Sequence, residues 1–116
     1  MLLGVPLAAV VSGTSYSVVV PLHNKEATVR EAIKSALNQS KKPFEVIVVD
    51  DGSTDNSVKV VEEFGDKVTL MRNERNVGKA ASINRAVSRV KTPYMLILDA
   101  DTVLDQRFAH EAMRGF

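Results

Sequence analysis

The chain has 116 residues, 45% hydrophobic and 25% charged, with 15 Lys plus Arg against 14 Asp plus Glu. That length suffices for one domain with a real core, and the near-neutral charge argues against a general nucleic-acid binder, which carries a strong basic excess. The absence of Cys excludes disulfides, thiolate metal sites and cysteine nucleophiles, and it agrees with a reducing, cytoplasmic setting. No Trp and only two Tyr leave little for aromatic cages or base-stacking platforms.

Residues 1–11 are all apolar, Gly or Pro, and the first formal charge is Lys25. A membrane-crossing helix needs about 20 apolar residues, and a signal peptide starts with basic residues. Residues 1–14 are therefore read as an apolar N-terminal arm, with the stub of a membrane helix as the alternative. Residues 15–116 are read as a single domain.

Elements then alternate with little slack. Residues 16–20 form a β-branched strand ended by Pro21, which cannot donate to a sheet ladder. Residues 25–39 carry Val29, Ile33, Ala36 and Leu37 on one helical face. Residues 44–49 make a second strand. A helix over 56–64 follows, with Ser53, Thr54 and Asp55 as candidate caps and Gly65 as its stop. Residues 68–71 make a third strand, and residues 78–90 a helix expected to turn Ala80, Ile83, Val87 and Val90 inward. Residues 94–98 form a fourth strand, and a last helix begins at 106. This β-α-β-α-β-α-β order predicts an α/β fold: a mostly parallel sheet with right-handed crossovers and helices on both faces. Near-continuous apolar strands fit a sheet covered on both sides.

In such sheets ligands sit beyond the carboxyl ends of the strands. Four loops project there: Pro21-Leu22-His23-Asn24-Lys25-Glu26, Asp50-Asp51-Gly52-Ser53-Thr54-Asp55, residues 73–79, and Asp99-Ala100-Asp101-Thr102. Asp55 reads as an ordinary cap or turn residue. Adjacent Asp50 and Asp51 cost repulsion that a single cap would not require. Asp99 and Asp101 alternate past a strand end, so both carboxylates can line one rim. Mg²⁺ is typically held by one or two carboxylates plus substrate phosphates. Lys79 follows Gly78 at a helix start, where backbone N–H groups already favour an anion. The other basic residues between Lys67 and Lys91 read as a solvated helix face, and His23, with no Cys or second His nearby, is not a metal ligand.

Taken together, Val18-Val19-Val20-Pro21-Leu22-His23-Asn24-Lys25-Glu26, Val48-Val49-Asp50-Asp51-Gly52-Ser53-Thr54-Asp55, Asn76-Val77-Gly78-Lys79-Ala80 with Asn84, and Leu98-Asp99-Ala100-Asp101-Thr102 resemble the nucleotide-sugar-binding half of family 2 glycosyltransferases. These enzymes have the Rossmann-like GT-A fold. In style the motifs are closest to the polysaccharide-synthase branch. The resemblance implies transfer of a sugar from a nucleotide diphosphate donor, most often UDP-linked, with Mg²⁺ or Mn²⁺. It implies donor binding by Pro21, Leu22, His23, Glu26, Asp51, Gly78, Lys79, Asp99 and Ala100: Pro21 to His23 line the uracil, Asp51 bonds the base, and Asp99 contacts the ribose or sugar. Asp101 would ligate the metal. His23 stands where many relatives carry a stacking Tyr.

The family's catalytic base and acceptor-binding segment lie after the Asp-x-Asp, so no catalytic base is identified in this chain. It reads as the donor half of an enzyme whose acceptor is a sugar, polysaccharide or lipid. The expected location is cytoplasmic, with the cytoplasmic membrane face, reached through further segments, as the alternative. Two other readings stay open. Asp99-Ala100-Asp101-Thr102-Val103 also suits a haloacid-dehalogenase-like phosphatase, whose first Asp is a nucleophile, and the chain would serve equally as a non-catalytic nucleotide-sugar-binding remnant. A receiver domain fits less well, because its acid pair follows the first strand.

Overall fold

A computed structural model describes residues 13–114. The apolar arm expected over 1–14 lies, apart from Gly13 and Thr14, outside the described residues. The elements run β1 (Tyr16–Leu22), α1 (Val29–Leu37), β2 (Glu45–Asp50), α2 (Ser57–Glu62), a single 3-10 turn at Gly65–Lys67, β3 (Thr69–Arg72), α3 (Lys79–Val87), β4 (Tyr94–Ile97) and α4 (Phe108–Met113). All pairings are parallel, in the order β3-β2-β1-β4.

Both sheet faces are apolar because alternate residues of each strand are. Val18, Val20, Leu22, Val46 and Val48 face one way, and Val29, Ala32, Ile33 and Ala36 of α1, Val60 and Val61 of α2 and Ala109 of α4 close over them. Val19, Ile47, Val49 and Met71 face the other way, against Ala86 of α3. Helices thus cover both faces, as the alternating order requires. The chain runs from β1 outward to β3 and then returns to the far side of β1, so the order reverses between β1 and β4. Crevices at such reversals, outside the carboxyl ends, are where open α/β sheets bind ligands.

Helix α1 starts at Val29, four residues later than the hydrophobic period suggested. Residues 25–28 instead form a turn in which Thr28 N–H and Val29 N–H both donate to the Lys25 carbonyl. The backbone N–H groups of Lys25 and Glu26 leave the helical ladder for Ser57 Oγ (2.8 Å) and Asp55 Oδ2 (3.2 Å). Helix α3 also differs from expectation. Ser82 and Ala86 are its buried residues and Ile83 and Val90 are half-buried as expected, whereas Ala80 is exposed and Val87 is 49% exposed. The small pair lets the helix lie close on β1 and β2, and the Ser82 hydroxyl accepts a hydrogen bond from Asn73 Nδ2 at 2.9 Å.

The segment after β4 is stitched to α1. Thr28 Oγ1 donates to the Ala100 carbonyl (2.9 Å), and Leu104 N–H donates to Ser35 Oγ (3.0 Å). Fully buried Gln39 donates to the Asp105 carbonyl (2.6 Å) and accepts from Ala109 N–H (2.8 Å). The Asp99–Asp101 turn is thereby held from behind. Among the described residues, no helix is long and apolar enough to cross a membrane.

Candidate functional site

Strand register sets Leu22, Asp50 and Arg72 level at the carboxyl edge, and the ladder extends one step further through Asp51 N–H to the Leu22 carbonyl (2.7 Å) and Asn73 N–H to the Asp50 carbonyl (2.8 Å). The first two loops are laced together there. Asn24, at φ +51°, accepts Thr54 N–H (2.8 Å) and Asp55 N–H (3.3 Å) on Oδ1, and its own N–H donates to Ser53 Oγ (2.9 Å). Asn tolerates this left-handed conformation better than most residues. Asp55 accepts Ser57 N–H (2.9 Å) and Glu26 N–H, the turn role its sequence suggested. Desolvation pushes its carboxyl up, but the bonds from Ser57 and Glu26 outweigh it and hold the group below the ordinary value.

Asp50 and Asp51 divide their roles. Asp50 is fully buried, 3.9 Å from Arg72 Nε, with Oδ1 lacking a hydrogen-bond donor among the described residues. Asp51, 5% exposed, faces the other way into the third loop. Its Oδ1 accepts Asn73 Nδ2 (3.0 Å) and Val77 N–H (2.8 Å), and its Oδ2 accepts Gly78 N–H (2.9 Å). Desolvation again raises this carboxyl, and the bonds from Val77, Asn73 and Gly78, with a smaller contribution from the charge of His23, bring it below the ordinary range. The His23 ring bridges the second and third loops: Nδ1 lies 2.8 Å from the Asp51 carbonyl oxygen and Nε2 3.4 Å from Asn76 Nδ2.

Gly52 closes the seam between the second and third loops. It sits at φ +72°, and a Cβ there would stand 2.8 Å from Asn76 N and 3.1 Å from the Arg75 carbonyl carbon. Both are backbone atoms and cannot swing aside. Gly52→Ala is expected to cost about 2 kcal/mol from the left-handed strain alone, before any loop shift. Urea unfolding checks this; a midpoint within error of the parent's would mean the third loop is not held against Gly52.

These loops enclose a cleft of about 420 Å³. Of the residues expected at the site, Pro21, Leu22, His23, Asp51, Gly78, Lys79, Asp99, Ala100 and Asp101 all line it. Glu26 does not; its carboxylate takes a hydrogen bond from Asn56 Nδ2 (3.3 Å) instead. Three further lining residues were not singled out from sequence: Lys25, Asn76 and Ser82. Buried Ala100 separates Asp99 and Asp101, whose side chains are 53% and 51% exposed. Each faces a lysine: Lys79 Nζ lies 2.6 Å from Asp99 Oδ1, and Lys25 Nζ lies 3.6 Å from Asp101 Oδ2.

Whether a divalent metal suits this edge turns on its donors. Asp99 and Asp101 are hard oxygen ligands, right for Mg²⁺ or Mn²⁺. Among the described residues no group of three or more His, Cys, Asp or Glu could hold a metal ion. Two carboxylates therefore suit a cation whose remaining ligands are phosphate oxygens, and they are too few to bind one tightly on their own.

A four-stranded parallel sheet with its order reversing at β1 and helices on both faces is a Rossmann-like α/β fold of the GT-A type. Residues 17–114 match the family model of Glycosyl transferase family 2, and the chain belongs to that family. This membership removes the phosphatase alternative. Glycosyltransferase GlyG of Streptococcus pneumoniae is 34% identical over 93 residues, covering 78% of this chain and 31% of GlyG. The crystal structure of Staphylococcus aureus TarS 1–349 in complex with UDP-GlcNAc superposes with a TM-score of 0.76 at 30% identity, over 84% of this chain and 30% of that one. The mannosyltransferase PcManGT of Pyrobaculum calidifontis, in complex with GDP-Man and Mn²⁺, superposes with a TM-score of 0.77 at 26% identity, over 84% and 31%. The chain spans about a third of the length of the curated relatives it matches.

Proposed function

We propose that this chain is the donor-binding part of a glycosyltransferase and that its cleft takes the nucleoside diphosphate of a UDP-linked sugar. The observation that carries the reading is the meeting of Asp51, Lys79, Asp99 and Asp101, from three separate loops, in one cleft at the sheet's reversal point. The base lies against Pro21, Leu22 and His23. Asp51 has about four acceptor positions on its carboxylate, three of them filled by the third loop, which leaves one for the imide N–H of uracil. Asp99 takes a ribose or sugar hydroxyl, and Lys79 with the Gly78 backbone takes phosphate oxygens. Asp101, with Asp99 beside it, would hold Mg²⁺ or Mn²⁺, which when bound offsets the charge of the departing diphosphate as a Lewis acid. Complexes of TarS with UDP-GlcNAc and of PcManGT with GDP-Man and Mn²⁺ support the donor class and the metal.

The polysaccharide-synthase branch, a sugar, polysaccharide or lipid acceptor, and a cytoplasmic location, with the cytoplasmic face of a membrane as the alternative, complete the reading. The catalytic base belongs to sequence beyond Asp101, so the 116-residue chain should bind donor without transferring sugar. Calorimetric titration of the chain with UDP, CDP and GDP in Mn²⁺ tests this. UDP is expected to bind more tightly than CDP, because cytosine presents an acceptor at N3 and would leave the remaining acceptor position of Asp51 unfilled, costing about 1–3 kcal/mol. Equal affinity for UDP and CDP would contradict the base assignment, and acceptor-dependent turnover of a radiolabelled donor by the chain alone would overturn the half-enzyme reading.

A further inference from the structure

Lys25 enters the cleft from the turn between β1 and α1, and none of the motif assignments uses it. Its backbone is fixed: its N–H donates to the buried Ser57 Oγ at 2.8 Å, and its carbonyl accepts Thr28 N–H and Val29 N–H. Only the flexible four-carbon side chain is free to move. Its Nζ stands 3.6 Å from Asp101 Oδ2, both side chains being about half exposed. On the facing wall Lys79 makes the tighter contact with Asp99. The cleft thus holds two ammonium groups against the carboxylates of Asp51, Asp99 and Asp101.

We infer that Lys25 is a switching counter-ion: it neutralises Asp101 while the cleft is empty and turns to the diphosphate when the donor enters. The inference rests on the donor-binding reading above and adds a residue to it. Three observations argue for it. An exposed ion pair at 3.6 Å is weak and readily exchanged, so it does not lock Asp101. The fixed backbone keeps the ammonium within side-chain reach of whatever Asp101 binds. Finally, a diphosphate brought next to three carboxylates needs cationic partners from the protein as well as a metal, and the lysines lining the cleft are Lys79 and Lys25. Lys25 therefore competes with a divalent cation for Asp101 in the empty cleft and cooperates with it once phosphate is present.

The test uses the full chain with Mn²⁺ alone and with UDP, comparing the parent, Lys25→Gln, Lys25→Arg and Lys34→Gln. Lys34, on α1 and paired with Glu31 at 3.7 Å, controls for loss of one positive charge away from the cleft. Mn²⁺ titrated without nucleotide, followed by electron paramagnetic resonance, should bind several-fold more tightly to Lys25→Gln than to the parent. UDP titrated in a chelator should bind Lys25→Gln about ten-fold more weakly, the loss of one charged hydrogen bond. Lys25→Arg and Lys34→Gln should follow the parent in both. A parent chain that binds no UDP in either medium would overturn the functional reading and this inference with it. A parent that binds UDP, beside a Lys25→Gln variant that matches it for both UDP and Mn²⁺, would overturn the role of Lys25 alone.

Discussion

Asp51→Ala is expected to destabilise the chain by about 3 kcal/mol, because it strands three donors at once: Asn73 Nδ2, Val77 N–H and Gly78 N–H. Each unsatisfied buried group costs about 1–3 kcal/mol; partial hydration of the opened loop keeps the sum near the lower end. Asp51→Asn should cost less, since its amide retains one oxygen acceptor but turns an NH₂ group toward a backbone N–H. The pH dependence has a definite sign. The Asp51 carboxyl is held below its ordinary value in the fold, so its contribution is fully present above the unfolded value, about pH 4, and is lost as pH falls through the lower folded value. Asp55 is displaced in the same direction. Urea unfolding between pH 7 and pH 2 should therefore show a steep acid loss in the parent and a shallower one, not a flat one, in Asp51→Asn. An identical acid slope in the two proteins would show that the carboxylate is not what ties the third loop down.

That tie also marks how far the sequence was legible. The alternation of apolar strands with helical periods was enough to place all four strands and the loops at their carboxyl ends, because a sheet covered on both faces needs apolar residues at nearly every strand position. The acids at the ends of the second and fourth strands stood out for the same reason, being the first polar residues after those runs. What stayed hidden was which backbone groups those side chains would satisfy. Asp51 bonds residues 22 to 27 positions away, and Asn24 bonds residues 29 to 31 positions away; no local pattern encodes such partners. The Ser53-Thr54-Asp55 run, read from sequence as candidate helix caps, is largely a clamp on the first loop. Helix α3 was misread in part: Val90 packs against the core as its period suggested, but Ala80 and Val87 are exposed, and Ser82 and Ala86 take the buried positions over β1 and β2. Lys25 was visible in its motif, but a lysine beside helix-starting residues reads as solvated until the fold brings Asp101 to it, 76 positions later in the chain.

Asp101→Ala should remove the linkage between metal and nucleotide while leaving the fold intact, since its side chain is half exposed and its contact with Lys25 is weak. In the parent, Mn²⁺ is expected to tighten UDP binding by roughly ten-fold, and by thermodynamic reciprocity UDP must tighten Mn²⁺ binding by the same factor. Among the described residues there are too few ligands for strong metal binding, so most of the coordination shell would come from phosphate oxygens and water. Removing Asp101 takes away the oxygen that ties that shell to the chain, and the coupling factor should fall to about one. Residual UDP binding in chelator should survive, because the base and ribose contacts are untouched. Asp99→Ala supplies the contrast: with a sugar hydroxyl as its proposed partner, it should weaken UDP binding in chelator as well as in Mn²⁺. Calorimetric titrations of UDP with Mn²⁺ and with chelator, run on the parent and both variants, separate the two carboxylates. Coupling that persists in Asp101→Ala would move the metal to Asp99, and UDP affinity indifferent to Mn²⁺ in the parent would remove the metal from donor binding altogether.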